Sequence, residues 1–351
     1  MQACPHANLP TRNQTMTSPK SVFLALAFLP VLALAACTAE NRQPTAASPQ
    51  PTVVSTATST ARPSDTPMPS PTATPQPSST PTATNTPAPT ATPTLPPGAT
   101  RIAPQDGAVM VYVPAGEFVM GSQPDAPGAD YDELPPHPVY LDAFWIYQTP
   151  VTNAMYADFL NAMGNRIEGH ATWMDAASPD ALLYQDGDGI WHPREGYENH
   201  PVVEVTWYGA NAYCQWVGLR LPTEAEWEKT ARGTDGRVFP WGSEIDCEHA
   251  QYGNCHGGLQ PVGSKPLGAS PYGALDMAGN VWEWVADWYA DDYYANAPYE
   301  NPTGPESGIT RVLRGGSWDY NWKHQLSADR RHNGPSVAKY DYGFRCVAEG
   351  D

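Results

Sequence analysis

The sequence predicts one mixed domain of short strands and three helices, beginning near Gln105 and loop-rich in its second half. Three observations carry this. Between residues 150 and 233, three segments place apolar residues at helical spacing between start and stop signals. Beyond Gly233 only short apolar runs occur, separated by Gly, Pro, Asn and Asp, so buried aromatics and cross-links rather than a regular sheet should hold that half. The 351 residues include 12 Trp and 18 Tyr, each ring burying on the order of 150 to 250 Å².

Val109 to Ser122 contains two short apolar runs around a Pro114-Ala115-Gly116 turn, which predicts a hairpin. Thr152 or Asn153 then caps a helix in which Tyr156, Phe159, Leu160 and Met163 share a face before Gly164. A second helix follows Thr206 and ends at Gly218, with Trp207, Ala210, Cys214 and Val217 on its buried stripe. The third has the clearest start: Thr223 and Glu226 form a capping box after Pro222, and Gly233 lies past its end. Asp186-Gly187-Asp188-Gly189 reads as a hairpin turn and not an EF-hand loop, because Ile190 and Trp191 stand at the fifth and sixth positions.

The first third is different in kind. Val22 to Leu34 is an apolar run preceded by Lys20 and followed by Leu34-Ala35-Ala36-Cys37, the order of a signal peptide with a cysteine at the cleavage position. At about 13 residues it is too short to span a bilayer. Residues 1–37 are therefore expected to be a lipoprotein signal, with Cys37 as the lipidated residue. Residues 38–104 are Pro, Thr, Ser and Ala with almost no large apolar side chain, a composition expected to remain a disordered linker. At about 3.1 Å per residue in polyproline II, some 60 residues reach roughly 190 Å. The folded domain is then 105–351, exposed outside the cytoplasm and tethered to the membrane by its lipid.

The whole chain carries a formal charge of −18. From residue 101 onward there are 15 basic and 35 acidic residues, a net of −20. Such a surface repels phosphate backbones, which argues against nucleic acid as a partner, and it favours cations. With Cys4 and Cys37 set aside, four cysteines remain in an exported chain, where disulfides are the default. Three pairings are open; Cys247 with Cys255 and Cys214 with Cys346 are the expected ones. No Cys-x-x-Cys spacing favours zinc. The histidines His192, His200, His249, His256, His324 and His332 are scattered without ligand spacing.

Several segments together resemble the formylglycine-generating enzyme, or sulfatase-modifying factor, family. They are Asn199 to Trp207, Gly218 to Glu228, Phe239-Pro240-Trp241-Gly242, Gly279-Asn280-Val281-Trp282-Glu283-Trp284, Leu313-Arg314-Gly315-Gly316-Ser317-Trp318 and Gly343-Phe344-Arg345-Cys346, in the family's order across the domain. The resemblance implies an α+β fold with low regular secondary structure and a core related to C-type lectins. It also implies the pairing of Cys214 with Cys346.

In the enzymes of that family, two cysteines after the Gly-Gly-Ser motif hold a copper ion, and two thiolates suit Cu(I) because both partners are soft. The matching positions here are Tyr320 and Gln325, so copper is not expected. Ser317 and Trp282 remain from the family's substrate region. A calcium site fits better: Asp276, Gly279, Val281 and Glu283 match a family site of two carboxylates and two carbonyls, hard oxygen donors of the kind Ca²⁺ prefers. A glutamate between two tryptophans needs a cation or an arginine, and Arg314 or Arg345 is the alternative partner. The family's other calcium site has an asparagine where this chain has Gln251.

The function expected from these residues is a calcium-stabilised extracellular binding module for a protein or glycan ligand. The segment Trp318 to Tyr342 would be its contact surface, with Ser317, Trp318, Asp319, Tyr320, Trp322, His324, His332 and Tyr340 as contact residues. Its frame also resembles the variable proteins of diversity-generating retroelements, which gives a second version of the same reading. The alternatives are a formylglycine-generating oxidase or accessory oxidoreductase, and a mainly structural envelope component.

Overall fold

The computed structural model describes residues 95–253 and 255–350. The expected signal run, Cys37 and most of the linker lie outside the described residues. Among the described residues no helix is long and apolar enough to cross a membrane.

The chain opens with β1 (Thr100–Ile102) and β2 (Val109–Val113), which pair antiparallel. β3 (Gly116–Met120) pairs with β4 (His137–Leu141), and β5 (Phe144–Tyr147) returns to β2. α1 (Asn153–Met163) follows, then the hairpins β6 (Ile167–Glu168) with β7 (Ala171–Thr172) and β8 (Leu183–Gln185) with β9 (Trp191–Pro193). α2 (Trp207–Trp216) and α3 (Glu224–Arg232) complete the helices. The second half supplies β10 (Trp282–Trp288), β11 (Arg311–Arg314), β12 (Arg330–Asn333), β13 (Tyr342–Phe344) and β14 (Val347–Glu349). Two four-stranded sheets result, in the orders β1-β2-β5-β14 and β12-β11-β10-β13. β13 is parallel to β10, and the other pairs within the two sheets are antiparallel. This is the α+β fold with little regular secondary structure that the sequence predicts.

Three expectations are corrected. The run from Val109 to Ser122 is not a hairpin, since β2 and β3 belong to different sheets. Lys229 Nζ donates to the carbonyls of Pro114 and Gly116 at 2.9 and 2.8 Å, holding that turn to α3. The second half does contain a regular sheet. Its central strand β10, Trp-Glu-Trp-Val-Ala-Asp-Trp, is buried through its first four residues, so it lacks the alternation that marks a strand with one wet face. The folded part also begins before Gln105: β1 lies at the end of the Pro/Thr-rich stretch, and the Gly98 amide already donates to Tyr112 at 2.9 Å.

The first sheet has a core on each side. Met110, Tyr112, Trp145 and Tyr147 face one cluster with Tyr156, Phe159, Tyr213 and Phe344; Val111, Val113, Phe144 and Ile146 face the other with Trp227 and Met277. The helix signals are realised closely. Thr152 accepts from Met155 at α1, Thr206 from Gly209 at α2, and Thr223 from Glu226 at α3, where Glu226 returns a bond to the Thr223 amide. Asp186 Oδ1 accepts from Asp188 and Ile190, closing the turn between β8 and β9. Both expected disulfides form: Cys214–Cys346 ties α2 to the junction of β13 and β14, and Cys247–Cys255 closes a small loop.

Candidate functional site

The segment after the Gly-Gly-Ser motif is built on a buried floor. Ser317 is fully buried, and its hydroxyl donates to Asp341 Oδ2 at 3.0 Å. It therefore presents nothing to a surface ligand, which corrects its expected contact role. Gln325 is also fully buried; its Nε2 donates to the carbonyls of Ser317, Tyr320 and Asn321. Where the oxidase pattern has a thiolate, this chain thus has an amide that pins the loop. Tyr320 packs edge-on to Trp282 and His324, under the Arg331 guanidinium at 4.7 Å.

The remaining predicted contacts do not form one patch. Trp318 and Tyr340 meet edge-on, with ring centroids 5.8 Å apart, and Tyr340 Oη donates to Asp319 Oδ2 at 2.8 Å. That bond and partial burial raise the Tyr340 phenol above its ordinary range. Trp318 and Tyr340 border a cavity of about 230 Å³ completed by Asp180, Leu182, Tyr197, Val203 and the 257–259 loop. Trp322 lines a more apolar cavity of about 450 Å³ with Phe239, Ile245 and Leu326. His332 stacks on Tyr289 at 3.9 Å beside a third cleft, and burial lowers its imidazole below the usual value. Reasoning from sequence missed Asp180, Tyr197, Arg331 and Asp341. Only Asp341 carried a signal, as the neighbour of the Gly-Phe-Arg motif.

Of the four expected calcium residues, Asp276 and Glu283 lie near enough to interact electrostatically, and the Gly279 carbonyl accepts from the Val281 amide at 2.9 Å. Gly279 has φ +88°, and a Cβ there would lie 2.2 Å from the Gln251 carbonyl, so only glycine fits. Asp276 is nearly buried and accepts from the Gly263 amide at 2.7 Å. Burial, with Glu283 nearby, pushes its carboxyl up to about 6. Glu283 is fully buried, and the partner the sequence left open is Arg345: Nε and Nη2 each donate to its carboxylate at 2.7 Å, and Trp227 Nε1 adds a third bond at 2.9 Å. Arg314 instead pairs with Glu228 at 2.5 Å. At Glu283 the arginine alternative is the one realised, while Asp276 is a buried carboxylate with no arginine hydrogen-bonded to it among the described residues. At the other position, Gln251 Nε2 donates to the Gly258 and His256 carbonyls, so an amide sits on those oxygens.

With the geometry in view, the kinship of the chain is clear. Residues 98–350 match the sulfatase-modifying factor enzyme 1-like domain, and the chain belongs to that family. It is 36% identical over 291 residues to the formylglycine-generating enzyme of Streptomyces coelicolor, spanning 71% of this chain and 91% of the relative. It is 40% identical over 244 residues to the serine/threonine-protein kinase Pkn1 of Chlamydia trachomatis serovar L2, spanning 68% of this chain but only 38% of that kinase. Among solved structures, PvdO from Pseudomonas aeruginosa superposes with a TM-score of 0.60 at 28% identity, over 73% of this chain and all of that one. Treponema denticola variable protein 1 superposes with a TM-score of 0.55 at 25% identity, over 72% and 99%.

Proposed function

We propose that this domain is a calcium-stabilised binding module displayed outside the cytoplasm on a lipid-anchored tether, with the Trp318–Asp319–Tyr340 cleft as its main contact. The observation that carries the reading is the chemistry at Tyr320 and Gln325: a half-buried phenol and a buried amide replace two soft donors, and the four described cysteines are consumed in disulfides. Soft sulfur donors are the ligands that select Cu(I). Around that position the chain instead exposes aromatic rings and carboxylates beside a cavity, the usual means of gripping a protein loop or a sugar ring. The likeness to a Treponema variable protein fits the retroelement-diversified version of this reading.

The test is a glycan and envelope-protein array probed with the full chain in CaCl₂ and in EDTA, beside Trp318→Ala and Tyr340→Phe. A ligand whose binding falls at least tenfold in Trp318→Ala is the expected result. The competing reading, a formylglycine-generating oxidase like its Streptomyces relative, is tested by incubating a sulfatase-type cysteine peptide with the chain, Cu(I) and O₂. Aldehyde product by mass spectrometry would overturn the binding-module reading. Mass spectrometry of the mature N-terminus reads lipidation of Cys37.

A further inference from the structure

Asp130, which also borders the cleft beside His332, groups with Glu133 and Asp329 so that one carboxylate oxygen of each lies within 4.8 Å of the others. Glu133 is fully buried and Asp329 is 3% exposed, while Asp130 stands at the surface, leaving the cluster one open side.

The surroundings set this cluster apart from the buried acids that arginines neutralise. Glu224 pairs with Arg330 at 2.8 Å, Glu228 with Arg314 and Arg232 at 2.5 and 2.7 Å, and Glu283 with Arg345 at 2.7 Å. Among the described residues, Glu133 and Asp329 have no such lysine or arginine partner. The ion-pair partner of Asp329 is the His324 imidazole at 3.4 Å. Glu133 Oε1 takes the Asp130 amide at 3.3 Å, but Oε2 is enclosed without a hydrogen-bond partner. An enclosed carboxylate oxygen with no donor is costly, and a second carboxylate beside it adds repulsion. Burial is the main reason the Glu133 carboxyl is pushed up to about 7, with Asp329 adding to it.

We propose that Asp130, Glu133 and Asp329 form a divalent-cation site of the calcium class, separate from the one around Asp276. Calcium binds carboxylate oxygens at about 2.3 to 2.6 Å, so two ligands of one ion stand at most roughly 5 Å apart, and the three oxygens here keep within that bound. The ion would meet three carboxylates on one side and water on the open Asp130 side. It would join the loop ahead of β4 to the 324–330 segment, which leads from the Tyr320 floor into β12. Occupancy would therefore stiffen the frame of the contact surface. This deepens the calcium-dependent reading above, but it rests on different residues.

The test is equilibrium dialysis of the full chain against CaCl₂ at pH 7.5, with Glu133→Gln, Asp130→Asn and Asp276→Asn alongside and near-UV circular dichroism as the folding control. The expected result is one bound ion lost in Glu133→Gln and weakened on the order of tenfold in the surface variant Asp130→Asn, yet retained in Asp276→Asn. That pattern would stand even if the Asp276 site takes up no ion. Unchanged stoichiometry and affinity in both Glu133→Gln and Asp130→Asn would overturn the proposal, as would a single bound ion abolished by Asp276→Asn alone.

Discussion

Replacing Arg345 by Met isolates one charge in the centre of the protein. Glu283 loses two of its three hydrogen bonds and keeps only the Trp227 indole. The carbonyls of Tyr147, Gln148 and Leu275, which Arg345 also bridges, lose that donor as well. Because both side chains are buried, solvent cannot compensate, and removing one member of such a pair costs about 3 to 5 kcal/mol. At a urea slope of roughly 2 to 3 kcal/mol per M, the midpoint should fall by about 1 to 2.5 M. Glu283→Gln should cost a similar amount, and the double variant should recover about 2 kcal/mol relative to the sum of the singles, because no lone charge is left. Urea unfolding followed by Trp fluorescence, in EDTA and in CaCl₂, reads all four proteins. On the proposal that calcium binds Asp276 and Glu283, the ion should recover part of the loss in Arg345→Met and none in Glu283→Gln. Singles that cost under about 1 kcal/mol, or additivity within about 0.5 kcal/mol, would refute the argument that this pair is electrostatically closed.

Other perturbations test other parts of the fold. Removing Cys214–Cys346, whose residues are 132 apart, should cost about 5 kcal/mol by loop entropy, against about 2.5 kcal/mol for Cys247–Cys255 at separation 8; paired Cys→Ala variants in urea give the comparison. Gly279→Ala should lose at least about 2 kcal/mol from its positive φ and the clash with the Gln251 carbonyl, read by thermal unfolding. Burial lowers Lys229 to about 8, so the unfolded chain binds more protons between pH 8 and 10. Stability carried by this group must then rise with pH across that window, and Lys229→Met should flatten the rise.

Start and stop chemistry was the most legible part of the sequence, because capping is local: Thr152, Thr206 and Thr223 each bond where their neighbours require. The small hairpin at Asp186 was legible for the same reason. Pairing partners were not. β2 and β3 look like a hairpin because they are adjacent and apolar, but Met110 to Val113 are buried toward two cores, so β2 needs a neighbour on each edge, and these come from β1 and β5. β10 was hidden likewise, its Trp-Glu-Trp run burying both faces around an ion pair. At the site, residue types were readable but their grouping was not. Asp180 and Tyr197 reach the Trp318 cleft from more than a hundred residues away, and Ser317, adjacent to Trp318, points inward to Asp341.

The order β1-β2-β5-β14 sets where load enters the molecule. Tension applied at Leu95 would meet first the Gly98–Tyr112 bond and then β1, a three-residue edge strand held by its ladder to β2 and by the Arg101 guanidinium lying 4.5 Å over the Trp145 ring. The opposite edge, β14, is clamped by Cys214–Cys346. Trp318 and Tyr340 belong to the loops of the other sheet. Pulling on that end should detach the border strand before the Trp318 and Tyr340 loops are disturbed.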